Sequence, residues 1–296
     1  MFLKSYKRYW SFFLFLAPAL LFFSVITIVP LFQGLFYSFT NWNFMNPNYR
    51  LVGIDNFVRI FQDDKQFIHS MFFTFKLVVV LVILQNAIAL ALALLIDASA
   101  KRLQGFFRTV FFLPNMISPI IATFMFTFIF SRVLPQLAES VPFLAFLDQP
   151  WFGNPNVAFW SLVIVHLWQG VPLMMIIYLA GIVGVPHSLK EAAIIDGANA
   201  FQRLKSVILP LIMPSLTICM FLTLKDTFKS FDIVYALTKG GPGTSTEVMT
   251  LNIYREAFSS NFLYGYASAK AMVLFIIVLI ISVIQMSVMK KREVEA

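Results

Sequence analysis

Six long apolar runs dominate this sequence, each close to the ~20 residues that a helix needs to cross a hydrocarbon core. The first runs from Ser11 to Val29 and continues amphipathically to Phe39; the others cover 77–96, 110–130, 157–180, 207–224 and 271–289. Hydrophobic residues make up 59% of the 296 positions and charged residues only 12%, about half the charged share of an ordinary soluble domain. In lipid, backbone N–H and C=O groups must be satisfied inside their own segment, so each run is expected to be a helix. The expected fold class is an all-α integral membrane protein with six transmembrane helices. One membrane domain would occupy 11–289, flanked by terminal segments 1–10 and 290–296.

The first run follows Lys4, Lys7 and Arg8, and Ala17-Pro18-Ala19 loosely resembles a signal-peptide cleavage site. The apolar stretch before Ala17 is short for a signal core, and apolar residues continue beyond it, as in an uncleaved anchor.

The distribution of basic residues sets the orientation. Lys4, Lys7 and Arg8; Lys101, Arg102 and Arg108; Lys190, Arg203 and Lys205; and Lys290, Lys291 and Arg292 all fall on one side, in short segments close to span ends. Arg50, Arg59, Lys65, Arg132, Lys229, Lys239 and Arg255 fall on the other side, mixed with acidic residues in longer loops. Both termini and the 182–206 loop are therefore expected in the cytoplasm, in a multi-pass protein of a prokaryotic plasma or inner membrane. This asymmetry accounts for the net charge of +8 without a nucleic-acid partner.

Cys219, the single cysteine, lies in the fifth run and reads as packing. No metal site is expected from the three histidines, which are far apart in sequence. His166 lies inside a span, where it is either part of a polar pathway or a neutral side chain bonded to a neighbouring helix.

Lys239-Gly240-Gly241-Pro242-Gly243-Thr244 lacks the Gly-Lys-Ser/Thr ending of a phosphate-binding loop and reads as a sharp turn. No catalytic constellation is evident, so any ATP hydrolysis belongs to another polypeptide. The polar insert between the fourth and fifth runs thus becomes decisive. In Pro186-His187-Ser188-Leu189-Lys190-Glu191-Ala192-Ala193, Ser188 is expected to cap a helix with Glu191 three residues on. Gly197 then permits a stop, giving two short helices over 186–206.

Glu191-Ala192-Ala193, Asp196-Gly197-Ala198 and, after nine further residues, Val207-Ile208-Leu209-Pro210 closely resemble the EAA loop of permease subunits of binding-protein-dependent ABC importers. Val207 stands where Ile is usual. That resemblance implies a type I ABC importer permease fold. It also makes Glu191, Ala192, Ala193, Asp196 and Gly197 the site that couples to the ATPase. Phe231-Asp232-Ile233-Val234-Tyr235 through Gly240-Gly241-Pro242-Gly243 to Glu247, with Ile253-Tyr254-Arg255-Glu256-Ala257-Phe258, resembles the carbohydrate permeases of the maltose, lactose, raffinose and glycerol-phosphate type. Leu51-Val52-Gly53-Ile54-Asp55-Asn56-Phe57, Phe106-Phe107-Arg108 and Phe112-Leu113-Pro114 agree with it.

Polar residues inside apolar spans face a bundle interior or a wet path. Three stretches qualify: Asn115 between Pro114 and Pro119; Trp168-Gln169-Gly170-Val171-Pro172-Leu173, where Gly170 would let a ring approach; and Asp226 to Asp232. By resemblance to maltose-type permeases, these stretches imply Asn115, Gln169, Gly170, Leu173, Asp226, Thr227 and Ser230 as substrate-path residues. An oligosaccharide fits such a lining. A non-sugar solute such as glycerol phosphate or a polyamine stays open, and so does a self-sufficient secondary transporter, although no internal repeat is evident.

The resemblance further implies a second homologous permease and two ATPase subunits. An extracytoplasmic sugar-binding protein would meet the loops at 40–68, 132–156 and 239–266, with membrane lipid around the helices. No cofactor is expected on this chain; ATP and Mg would be held by the ATPase subunits.

Overall fold

The computed structural model describes residues 2–45, 48–259 and 262–291. Among the described residues, helices supply the regular structure apart from an isolated bridge between Thr40 and Leu51. In chain order they are α1 (Phe2–Phe23), α2 (Val29–Tyr37), α3 (Asp55–Gln62), α4 (Lys65–Ala98), α5 (Lys101–Met116), α6 (Pro119–Phe128), α7 (Leu134–Ser140), α8 (Pro155–Gly184), α9 (His187–Ile195), α10 (Ala200–Arg203), α11 (Leu209–Leu211), α12 (Met213–Phe228), α13 (Asp232–Leu237), α14 (Met249–Tyr254) and α15 (Tyr264–Lys290). Among the described residues five helical stretches are long and apolar enough to cross a membrane, and a sixth qualifies if the bent pair Ala200–Leu211 and Met213–Phe228 is one span.

Two of the expected spans are corrected. The run at 110–130 is not one helix: Ile117 and Ser118 are extended, with ψ of 133° and 138°. Proline disfavours helical geometry in the residue before it but suits the first helical turn, so Pro119 ends one helix and opens the next. The membrane-length helix here is Pro119–Ser140. The run at 207–224 is bent by 76° at Ile212, with Pro210 and Pro214 each opening a helix. The second, fourth and sixth runs hold but lengthen, to Lys65–Ala98, Pro155–Gly184 and Tyr264–Lys290, because helical hydrogen bonding continues past the apolar stretch. At about 1.5 Å per residue, α4 and α8 both exceed a ~30 Å hydrocarbon core. The first run is helical to Tyr37 through a π turn at Ser24–Ile28. The 290–296 tail lies outside the described residues beyond 291.

Contacts divide the chain into two units, 1–64 with 253–275 and 65–252 with 276–296. In the first, Gly265 lies against the Thr40 backbone. The side-chain amide of Asn56 donates to the Ser38 and Thr40 carbonyls at 2.9 and 2.8 Å. Lys270, 1% exposed, reaches Asp64 at 2.8 Å and Glu256 at 2.6 Å. Tyr266 donates to Asp64 at 3.0 Å, with the Arg59 guanidinium 4.3 Å from its ring centre.

In the second unit α4 packs along α8, and α12 against both. The core joins Ala89, Ala93 and Ile96 to Met175, Tyr178, Ile182 and Cys219, so the cysteine is a packing residue. Asn86 ties the three helices together: its amide donates to Thr223 at 3.3 Å and accepts from Tyr178 at 2.8 Å. The Gly-Gly-Pro-Gly segment is the expected turn. Gly240 and Gly243 have φ of 80° and 61°, which glycine adopts without strain, and Thr246 closes the turn by donating to the Gly241 carbonyl at 2.6 Å. Glu247, fully buried, accepts from Gln66 at 3.1 and 3.0 Å and from Asn252 at 2.7 Å.

Candidate functional site

A cavity of about 390 Å³ opens in the second unit between α4, the α5–α6 break, α8 and the end of α12. The break is what exposes polar backbone here. Asn115 donates to the Gln169 carbonyl at 3.1 Å, and Gln169 donates back to the Ile117 carbonyl at 2.9 Å. This reciprocal clamp caps a carbonyl freed where the helix stops and fixes both amides at the cavity wall. Leu173 adds an apolar surface, Asp226 a carboxylate 58% exposed, and Thr227 and Ser230 hydroxyls. All seven expected path residues, Asn115, Gln169, Gly170, Leu173, Asp226, Thr227 and Ser230, therefore line one cavity.

His166 stands on α8. It lines the cavity and is bonded at both ring nitrogens, Nδ1 to the Leu162 carbonyl at 2.8 Å and Nε2 to Ser230 Oγ at 2.7 Å. A carbonyl only accepts, so Nδ1 carries the proton, and in the neutral ring Nε2 accepts from the serine. Gly170 is corrected: its bare face receives the Gln85 amide. A Cβ there would lie 2.6 to 2.8 Å from that amide's atoms. Trp168 is edge-on to Phe126 and lines a separate apolar groove, whereas Phe231, stacked on Tyr235 with ring centres 5.2 Å apart, faces the cavity. Sequence reasoning missed Gln85 and Thr223, each polar within an apolar run, which is the signal that could have found them. Among the described residues no group of three or more His, Cys, Asp or Glu could hold a metal ion.

The 186–206 loop forms the two short helices expected, with one correction. Ser188 lies inside α9 and does not cap it; Pro186 occupies the N-cap position, with no side-chain cap bond. Proline fixes the entry angle, and Glu191 turns instead to His187 at 3.1 Å, one turn back. Gly197, with φ of 76°, ends α9: its N–H bonds the Ile194 carbonyl at 3.0 Å and that of Ala198 the Ala193 carbonyl at 3.0 Å, a Schellman arrangement. The capping box belongs to α10, where Asn199 and Gln202 bond each other's backbone N–H at 2.9 and 2.8 Å. Glu191, Ala192, Asp196 and Gly197 are exposed and Ala193 half-buried. Ile195 at 85% and Phe201 at 71% exposure add an apolar tip. Beside it lies a cavity of about 600 Å³ lined by Asp97, Glu191, Ile194 and Phe201 among others.

The profile of the family described as binding-protein-dependent transport system inner membrane component matches residues 85–292. The chain belongs to that family. It is thus a permease component of the inner membrane and not an enzyme. Among its relatives, a probable starch degradation products transport system permease, AmyD of Thermoanaerobacterium thermosulfurigenes, is 40% identical, covering 99% of this chain and 98% of its own. The multiple sugar-binding transport system permease MsmF of Streptococcus mutans serotype c is 37% identical, over 98% and 99%. The crystal structure of a bacterial ABC transporter that imports the acidic polysaccharide alginate shares the fold, with a TM-score of 0.84 at 23% identity over 98% of both chains. The architecture is that of a type I ABC importer permease.

Proposed function

We propose that this chain is the membrane-spanning permease subunit of an ATP-driven importer that carries a sugar, of oligosaccharide size, delivered by an extracytoplasmic binding protein. The observation that carries the reading is the lining of the α4–α8–α12 cavity. Amides, hydroxyls and the Asp226 carboxylate stand beside the Leu173 and Phe231 faces, a mixture that suits the hydroxylated edges and apolar faces of a sugar ring. Starch degradation products and multiple sugars appear in the names of the relatives 40% and 37% identical to it, and they support the same cargo class.

In this reading the 186–206 loop lies in the cytoplasm with both termini. Glu191, Ala192, Ala193, Asp196 and Gly197 dock on a separate ATPase subunit, which holds the ATP and Mg. A second homologous permease and a second ATPase complete the channel. Closure of the ATPases draws the two loops together and switches the cavity between inner and outer openings. The energy is spent on motion, so the chain needs no catalytic residue.

The test is uptake by proteoliposomes containing both permeases, the ATPases and the binding protein. Maltotriose or raffinose is expected to enter only with internal ATP and to be displaced by related sugars. Uptake of glycerol 3-phosphate in preference to every sugar, or uptake without ATP, would overturn the reading.

A further inference from the structure

The polar residues around the cavity are not equally committed. Asn115 and Gln169 each spend an amide N–H on a backbone carbonyl, and His166 is bonded at both nitrogens. Asn86, next to Gln85 on α4, is held by Val82, Thr223 and Tyr178. Gln85 differs. It is 6% exposed, it lines the cavity, and its amide has no hydrogen-bond partner among the described residues. An amide that makes no bond within the protein and opens on a cavity can take its partner from inside that cavity. Its place is prepared by the glycine opposite: any side chain at position 170 would collide with the nitrogen, oxygen and carbon of the amide head.

We propose that Gln85 is a specificity-determining contact for the transported sugar, with Gly170 as its positioning residue. An amide offers a donor and an acceptor side by side, which matches two neighbouring hydroxyls on one ring. Gln85 comes from α4, whereas Asn115 comes from α5 and Gln169 from α8. A sugar seated on Gln85 is therefore held by a helix that carries neither Asn115 nor Gln169. Gly170 makes no contact of its own and acts by leaving the amide room to lie flat. This inference rests on the sugar reading above.

The experiment uses the complete importer in proteoliposomes, with maltotriose, raffinose and monodeoxy analogues of each, at concentrations that saturate the binding protein. The wild type is expected to transport one or two analogues about three- to tenfold more slowly than the parent sugar, because a site built to bond a hydroxyl rejects the analogue lacking it. Gln85→Met, close in shape, should erase that discrimination while leaving the ranking of the other analogues intact. Gly170→Ala should do the same by displacing the amide, and Gln85→Ala combined with Gly170→Ala should be no worse than Gln85→Ala alone, since the new methyl then occupies vacated space. Equal slowing of every sugar by Gln85→Met, or a Gly170→Ala defect that persists without Gln85, marks a packing role and overturns the inference. If the wild type takes up no sugar, both readings fall; if it does and Gln85→Met discriminates as before, only this one does.

Discussion

Lys190 lies 3.5 Å from Asp97 and donates to the Ile182 carbonyl at 3.0 Å, so one ammonium ties α9 to the ends of both α4 and α8. Gln85 stands on the same α4, twelve residues before Asp97, about 18 Å at 1.5 Å per residue. The cavity and the 186–206 loop are thus joined by continuous helix. The pair is half-buried, its side chains 23% and 32% exposed, and a pair still open to water adds on the order of 1 kcal/mol to stability, so its loss should register in motion more than in folding. Asp97→Ala is expected to leave the yield of assembled complex unchanged and to lower sugar transported per ATP about two- to fivefold. The charge swap of Asp97→Lys with Lys190→Asp should restore part of it; equal transport per ATP in all variants would show the bridge to be incidental.

Gly197 isolates backbone conformation from packing, since a side chain there meets nothing within 4 Å and only the φ of 76° matters. Asn tolerates left-handed geometry better than any β-branched residue. Gly197→Asn should keep binding-protein-stimulated ATPase and uptake near wild type, while Gly197→Val, about 1–2 kcal/mol strained, should lose most of both yet insert normally in the membrane. Equal behaviour of the two variants, assayed side by side, would remove the conformational explanation.

Gly265 is required for the opposite reason. Its missing side chain makes space for the Thr40 carbonyl, which is also held by Asn56, so the obstacle is backbone and cannot swing away. Gly265→Ala is expected to cost about 1–3 kcal/mol and to lower the midpoint of thermal unfolding in detergent. Gly105→Ala, in open space within α5, should be neutral or gain about 0.5–1 kcal/mol from helix propensity. Unfolding curves of the two variants decide the point.

Lys270 is the shared cation of Asp64 and Glu256, whose side chains are 15% and 11% exposed. Lys270→Met would leave two carboxylates side by side without it, and breaking a buried ion pair in this way costs about 3–5 kcal/mol. Much reduced folded protein is expected, with partial recovery when Glu256→Gln is added. A stable single variant that gains nothing from the second change would contradict this account.

Much of the fold could be read from the chain, because lipid admits few backbone solutions and apolar length announces a helix. The failures are local. Pro119 overruled the apolar run at 110–130, and Pro186 took the cap assigned to Ser188, in each case because proline's fixed geometry outranks composition. Asn115 and Gln169 were legible as polar positions within apolar stretches, whereas Gly170, Leu173, Asp226, Thr227 and Ser230 were singled out by resemblance to maltose-type permeases. Gln85 carried the same signal beside Asn86, and both were passed over in the run at 77–96, whose other residues are apolar.

The sequence by itself determined that the chain crosses a membrane, that helices do the crossing, and that a bend falls at Gly197, since desolvation of the backbone and the left-handed freedom of glycine are local matters. Only the tertiary structure decided that Gly170 serves Gln85, that Asn115 and Gln169 clamp each other across a broken helix, and that Lys190 reaches Asp97. Those pairs depend on which faces of α4, α5 and α8 meet, and helix register is set by packing between segments far apart in the chain.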